Sequence, residues 1–195
     1  VGGMKYATAL LGAASLALAG SFVARAEVFS QPAIVEPVND EAIAQGMPRL
    51  LSHFRFFRDA SAQVPVDRVT PYRLNTPLFS DGAEKLRFVY LPEGTAMAAQ
   101  GEGLPEFPVG TALIKTFAFE QDGQRRLIET RVLLHRADGW LALPYMWNEE
   151  QTDARLAVAG ARLDLTTPKG EAISYRIPNK NQCKECHGLD GEVVP

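Results

Sequence analysis

The chain has 195 residues, of which 46% are apolar and 22% charged. This composition is typical of one globular domain and excludes a disordered chain. The formal net charge is −3, so the chain lacks the basic excess of nucleic-acid-binding domains, and we expect no nucleic-acid partner. Cys183 and Cys186 are its only cysteines, which excludes a disulfide framework as the main source of stability.

The N-terminus has the three parts of a secretory signal peptide. Lys5 supplies the positive charge, residues 7–19 are small and apolar, and residues 24–26 (Ala-Arg-Ala) fit the cleavage site. We predict a signal peptide over 1–26, a mature chain that starts at Glu27, and a periplasmic or secreted location. An uncleaved membrane anchor is the alternative. The apolar run is short for that role, so we expect no stable membrane span after cleavage.

The segments after the signal peptide are predicted to hold little regular structure. Residues 27–49 form an extended leader, broken by a short helix that Asp40 caps and Gly46 ends. Residues 50–57 are predicted as a second short helix because their large apolar side chains share one helical face. Prolines in 65–82 forbid a helix there and predict an ordered loop.

A β pattern begins after Lys85. Stretches of β-branched and aromatic residues alternate with Gly, Pro and Asp turns, which is typical of antiparallel strands. The Asp122-Gly123 pair is the predicted tip of one hairpin. The predicted strands cover residues 86–91, 111–119, 126–136, 140–147, 154–166 and 172–177. The sequence therefore predicts a mainly β domain over 50–178, folded as an antiparallel β-sandwich or meander with a short N-terminal helix.

The strongest chemical signal is the C-x-x-C-H motif at residues 183–187. Two thiols at this spacing can bond to the two vinyl groups of haem, and the next residue brings an imidazole to the iron. We therefore predict covalent haem c on Cys183 and Cys186, with His187 as the iron ligand. Attachment would need the c-type cytochrome maturation machinery as a partner. Residues 179–195 are the predicted start of a cytochrome c haem-binding segment.

Three other interpretations of the two cysteines are weaker. A thioredoxin-like pair needs a βαβ context, whereas strands and a turn precede this motif. A zinc half-site needs two further ligands, and only His53 and His135 are left besides His187. A simple disulfide leaves His187 unexplained.

The second axial ligand of the iron is not fixed by the motif. Low-spin cytochromes use Met or His at this position. The candidates are Met47, Met97, Met146, His53 and His135. Because only eight residues follow His187, we expect the cytochrome portion to be truncated, with the rest of the haem pocket beyond Pro195.

The run over residues 175–183 and several shorter stretches between residues 71 and 131 resemble a family of exported bacterial dihaem c-type cytochromes whose role is poorly defined. The resemblance covers about residues 50–195, and its most specific part is the run YRIPNKNQC that leads into the motif. The other matching stretches are residues 71–72, 74–81, 88–94, 107–111, 115–117 and 126–131. The resemblance implies a β-rich N-terminal portion followed by cytochrome segments with two C-x-x-C-H motifs. It implies that Cys183 and Cys186 attach the first haem; the second motif has no counterpart in this sequence.

Together these patterns predict an electron-transfer protein with an unidentified redox partner, and no catalytic residue is predicted. A haem enzyme of the peroxidase type is one alternative. A β-sandwich module that binds a glycan or a protein is another, since Trp140, Tyr145 and Trp147 could form an aromatic strip. In a β protein such side chains more often belong to the core.

Overall fold

A computed structural model describes Val1, Gly2 and residues 36–195, apart from Pro77, Glu102 and Asp122. The predicted signal peptide (from residue 3 on), residues 27–35 of the leader and Asp122 of the predicted hairpin tip therefore lie outside the described residues. Within the described part, no helix is long and apolar enough to cross a membrane.

The described strands form a mainly β, antiparallel fold, as predicted. In chain order they are β1 Phe57–Asp59, β2 Val64–Pro65, β3 Val69–Pro71, β4 Glu84–Tyr90, β5 Ala112–Gln121, β6 Gln124–Arg136, β7 Gly139–Trp147, β8 Ala154–Leu156, β9 Ala161–Thr166, β10 Ala172–Ile177, β11 Gly188–Leu189 and β12 Glu192–Val193. Strands β3 to β8 pair in sequential order in one six-stranded sheet. This order is a meander, and every pairing among the described strands is antiparallel.

One face of the sheet is covered by the N-terminal part of the described chain. The helix α1 Asp40–Ala44 and a 3-10 helix Leu51–Phe54 pack on it through buried apolar side chains. The predicted first helix is confirmed, but Asn39 caps it, accepting a hydrogen bond from the Ala42 amide at 3.1 Å. The predicted helix over 50–57 is shorter than expected, because Phe57 begins β1.

The opposite face of the sheet carries two separate packings. Near the β5–β6 turn, the β9–β10 hairpin packs on it through Phe119, Ile128 and Tyr175. Further along the strands, Leu133 and Ala142 pack against the C-terminal segment.

The prediction of one strand over 154–166 is wrong, because the chain turns between β8 and β9. Gly160 lies in the left-handed region with φ of 73°. A Cβ there would lie 2.6 Å from the carbonyl oxygen of Ile177. The turn thus presses closely on the backbone that leads into the C-x-x-C-H motif, and this approach requires glycine.

Candidate functional site

Cys183 lies on a capped 3-10 helix, Lys180–Glu185, and Cys186 is the C-cap residue that ends it. The Asn179 side chain accepts a hydrogen bond from the Gln182 amide at 2.9 Å, and the Gln182 side chain accepts one from the Asn179 amide at 3.0 Å. This reciprocal capping box fixes the start of the helix. Cys183 is buried and Cys186 exposed, and both thiols are free.

A backbone return holds the His187 imidazole. After β11 the chain turns into β12, and the Val194 amide donates to the His187 carbonyl at 2.7 Å. His187 Nδ1 lies 3.2 Å from the Val194 carbonyl oxygen. Because a carbonyl only accepts, this contact assigns the proton to Nδ1 and leaves the Nε2 lone pair available. Metal-binding histidines typically have this arrangement.

Gly188, directly after the histidine, is required by the geometry of this return. A Cβ at this position would lie 2.3 Å from the Lys184 carbonyl oxygen. Real Cβ atoms do not come this close to another atom, so any larger residue must displace the chain beside His187.

The motif borders a cavity of about 660 Å³, within the usual size range of small-molecule sites. Its walls come from the sheet, from the loop between β4 and β5, and from the C-terminal segment. The apolar lining includes Val89, Met97, Leu104, Phe107, Leu113, Leu133 and Ala142. Cys183, Cys186 and His187 line it from the other side.

Three cations stand next to one another on the sheet wall of this cavity. Arg87 on β4 is the direct cross-strand partner of Lys115 on β5, and Lys115 is the direct partner of Arg131 on β6. All three line the cavity, and we call them the cation row. The ring of Phe117 supports it: its centroid lies 4.9 Å from Lys115 Nζ and 4.4 Å from Arg131 Cζ, within the distance for cation–π attraction.

Burial, together with the charges of the row, shifts the pKa values of groups around the cavity. Burial, followed by the charges of Arg131 and Arg87, lowers the pKa of Lys115 to about 8. Burial, followed by the charge of Lys115, also lowers the pKa of His187. Burial raises the pKa of Cys183, which keeps this thiol protonated. The imidazole is thus held neutral, as iron ligation requires.

A buried carboxylate holds one end of the row. Glu129 is fully buried and accepts two hydrogen bonds from Arg131, at 2.9 and 2.5 Å. The Tyr175 hydroxyl donates to the same carboxylate at 2.6 Å, and burial raises the pKa of this tyrosine. Glu129 on β6, itself held by Tyr175 on β10, therefore fixes the Arg131 guanidinium at the cavity wall.

Of the five distal-ligand candidates, Met97 lines the cavity, and the other four are not among its lining residues. His135 stacks on Trp140 with ring centroids 4.5 Å apart and approaches the Pro108 carbonyl oxygen at 3.1 Å. It is therefore a satisfied structural histidine. Met146 packs against the β9–β10 hairpin.

The aromatic strip considered for glycan binding does not form. Tyr145 and Trp147 are buried in the core on one face of the sheet. Trp140 lies on the opposite face, where it contacts Phe107 and His135.

The residues present fit a covalently attached haem. The cavity is apolar except for the cation row and a few other polar residues at its border, two free thiols border it, and a neutral imidazole is fixed through Nδ1. Among the described residues, no three His, Cys, Asp or Glu side chains lie close enough to hold a metal ion. A haem would bring its iron already bound in the porphyrin, so His187 would suffice as the protein ligand from this segment.

Sequence reasoning identified the motif but missed Arg87, Lys115, Glu129 and Arg131. Their one signal in the sequence is that side chains alternate between the two faces of a strand. Residues 85, 87 and 89 therefore share one face of β4, and residues 113 and 115 share one face of β5. Alternation alone does not give the register that makes these residues neighbours.

No protein-family model, curated protein or solved structure matches this chain.

Proposed function

We propose that this protein is an exported c-type cytochrome. Cys183 and Cys186 attach one haem covalently, His187 is its proximal iron ligand, and the protein transfers electrons to or from a partner protein. Maturation takes place in the periplasm after cleavage of the signal peptide at residues 24–26.

One observation carries the proposal. A C-x-x-C-H segment that begins on a capped 3-10 helix borders a largely apolar cavity. His187 Nδ1 is bound to the Val194 carbonyl oxygen, which leaves Nε2 for a metal. The motif alone is a pattern of five residues, whereas its position beside a cavity of suitable size is independent of the pattern.

Each group of the site has a defined task. Haem supplies a one-electron couple at its iron. Each of Cys183 and Cys186 would add its S–H across one vinyl C=C of haem, which forms a thioether and places the hydrogen on the other vinyl carbon without an oxidant. His187 would hold the iron through Nε2. The apolar wall limits water near the site, and low polarity together with nearby charge sets the reduction potential.

The test is production of the full chain together with a c-type cytochrome maturation system. We expect haem staining to remain on the denatured chain after electrophoresis, and the chain mass to increase by one haem after removal of residues 1–26. The Cys183→Ala/Cys186→Ala double variant should lose the stain, whereas His135→Ala should keep it. Haem that separates from the wild-type chain on denaturation would refute covalent attachment.

A further inference from the structure

The cation row is an unfavourable arrangement for the sheet alone. Like charges directly opposite each other on neighbouring strands repel and destabilise the pairing. Here three of them follow one another across β4, β5 and β6. All three also line the same cavity, so their side chains approach one another on one wall.

The protein groups near the row leave most of its charge uncompensated. Glu129 pairs with Arg131. Among the described residues, no carboxylate forms an ion pair with Lys115 or Arg87. Glu185 also lines the cavity but pairs with none of the three.

Arg87 gives the sharpest sign of a missing partner. Arg87 is buried, with only 7% of its surface exposed. Nη1 donates to the Lys85 carbonyl oxygen at 3.2 Å, whereas Nη2 is buried without a hydrogen-bond partner. A buried donor of a charged group that stays unpaired is strongly destabilising, so such donors normally have an acceptor.

We propose that the cation row binds the carboxylates of the haem attached at Cys183 and Cys186. This inference rests on the proposed function and adds to it the orientation of the haem. The apolar part of the macrocycle lies against Val89, Leu113 and Leu133, and its carboxylate edge faces the row. Lys115 suits this task because it lies between the two guanidinium groups and its ammonium can donate a charge-assisted hydrogen bond to a carboxylate.

The test compares haemin with haemin dimethyl ester, in which both carboxylates are blocked. Each is titrated into the full chain purified without haem and with its thiols reduced, and binding is followed by the absorption of the haem. We expect the wild-type chain to bind haemin about tenfold more tightly than the ester, or more. In Lys115→Met the preference for haemin over the ester should fall by about tenfold, because methionine keeps an apolar side chain of similar length and lacks the charge.

Two control variants separate charge from packing. Lys115→Arg keeps the charge and should keep the preference for haemin. Lys169→Met removes an exposed lysine from the β9–β10 turn, outside the cavity, and should also keep it. Circular dichroism of each variant checks that it is folded.

The outcomes for this inference and for the proposed function are separable. Equal affinity of the wild-type chain for haemin and its ester would overturn the carboxylate assignment, even if the chain retains haem on a denaturing gel. An unchanged preference in folded Lys115→Met would also overturn it. A third outcome is that the chain prefers haemin to its ester, and that Lys115→Met loses this preference, while no haem stays on the denatured chain. The carboxylate assignment then stands and covalent attachment fails.

Discussion

Replacing Lys115 by methionine should stabilise the chain in the absence of haem. Lys115 lies between Arg87 and Arg131 in the cation row, and burial is the first cause of its low pKa. A methionine of similar length removes the charge and keeps most of the apolar contacts. The same substitution that weakens carboxylate binding is therefore expected to raise the free energy of unfolding.

The size of the effect follows from the protonation equilibrium. Burial and like charges lower the pKa of Lys115 from 10.5 to about 8. Each pKa unit corresponds to about 1.4 kcal/mol, so the whole shift would correspond to an upper limit of about 3 kcal/mol in the free energy of unfolding. The ammonium is only half-buried, so solvent screening reduces this value considerably. The variant also loses cation–π attraction to Phe117, about 0.5 kcal/mol. We expect a net gain of about 1 kcal/mol.

The assay is urea unfolding of both chains without haem, repeated over a pH series. Below about pH 8, Lys115 is charged in both the folded and unfolded chains, so its unfavourable contribution is fully present. Between about 8 and 10.5, the folded chain loses the proton while the unfolded chain keeps it. The wild-type chain therefore gains stability relative to the variant, and the difference shrinks as the pH rises through this window.

Two results would refute this reasoning. One is a folded Lys115→Met chain that is less stable than the wild type at neutral pH. The other is a stability difference that stays constant up to about pH 10, because a purely packing effect has no pH dependence in this window. Lys169→Met, which changes an exposed lysine, should differ from the wild type by less than about 0.5 kcal/mol.

Three further substitutions test other parts of the site. In the ferric haem-loaded chain, Met97→Ala should remove the weak red absorption band of methionine-ligated haem, whereas Met146→Ala should keep it. Glu129→Gln should lower the free energy of unfolding by about 3 kcal/mol in urea, because it removes a buried carboxylate from Arg131. Gly188→Ala should lower the yield of stained haem on denaturing gels, because its Cβ would lie 2.3 Å from a carbonyl oxygen.

Each of these expectations has an opposing result. A red band that persists in Met97→Ala would assign the distal ligand elsewhere. If Glu129→Gln unfolds at the same urea concentration as the wild type, the carboxylate that Arg131 and Tyr175 contact does not contribute to stability. If Gly188→Ala gives the same yield of stained haem as the wild type, the segment after His187 accommodates the added Cβ without impairing haem attachment.

The meander is predictable from sequence because its signals are local. Strands β5, β6 and β7 are long, rich in β-branched and aromatic residues, and separated by turns with glycine at positive φ, at Gly123 and Gly139. The C-x-x-C-H motif is also local, since its chemistry requires a fixed short spacing. The break at Gly160 escaped prediction because its cause is the distant Ile177 backbone.

The cavity wall is different, because its members are distant in sequence. Arg87, Lys115 and Arg131 each resemble an ordinary exposed cation in an alternating strand, and Glu129 resembles an exposed acid. Only the register of β4, β5 and β6 makes the cations neighbours, and a bulge between Phe117 and Ala118 changes the register of β5 and β6 beyond the row. Composition and periodicity do not encode register, so this part of the site requires three-dimensional structure.

The physical character of the missed residues is itself an argument about their task. Local rules for a stable sheet favour opposite charges across strands and partners for every buried donor. The cation row departs from the first rule, and Arg87 Nη2 departs from the second. Departures of this kind are expected at functional sites, where a ligand completes what the fold leaves unpaired. The three cations line the cavity that Cys183, Cys186 and His187 also border, so an anionic ligand bound there would compensate the charge of the row.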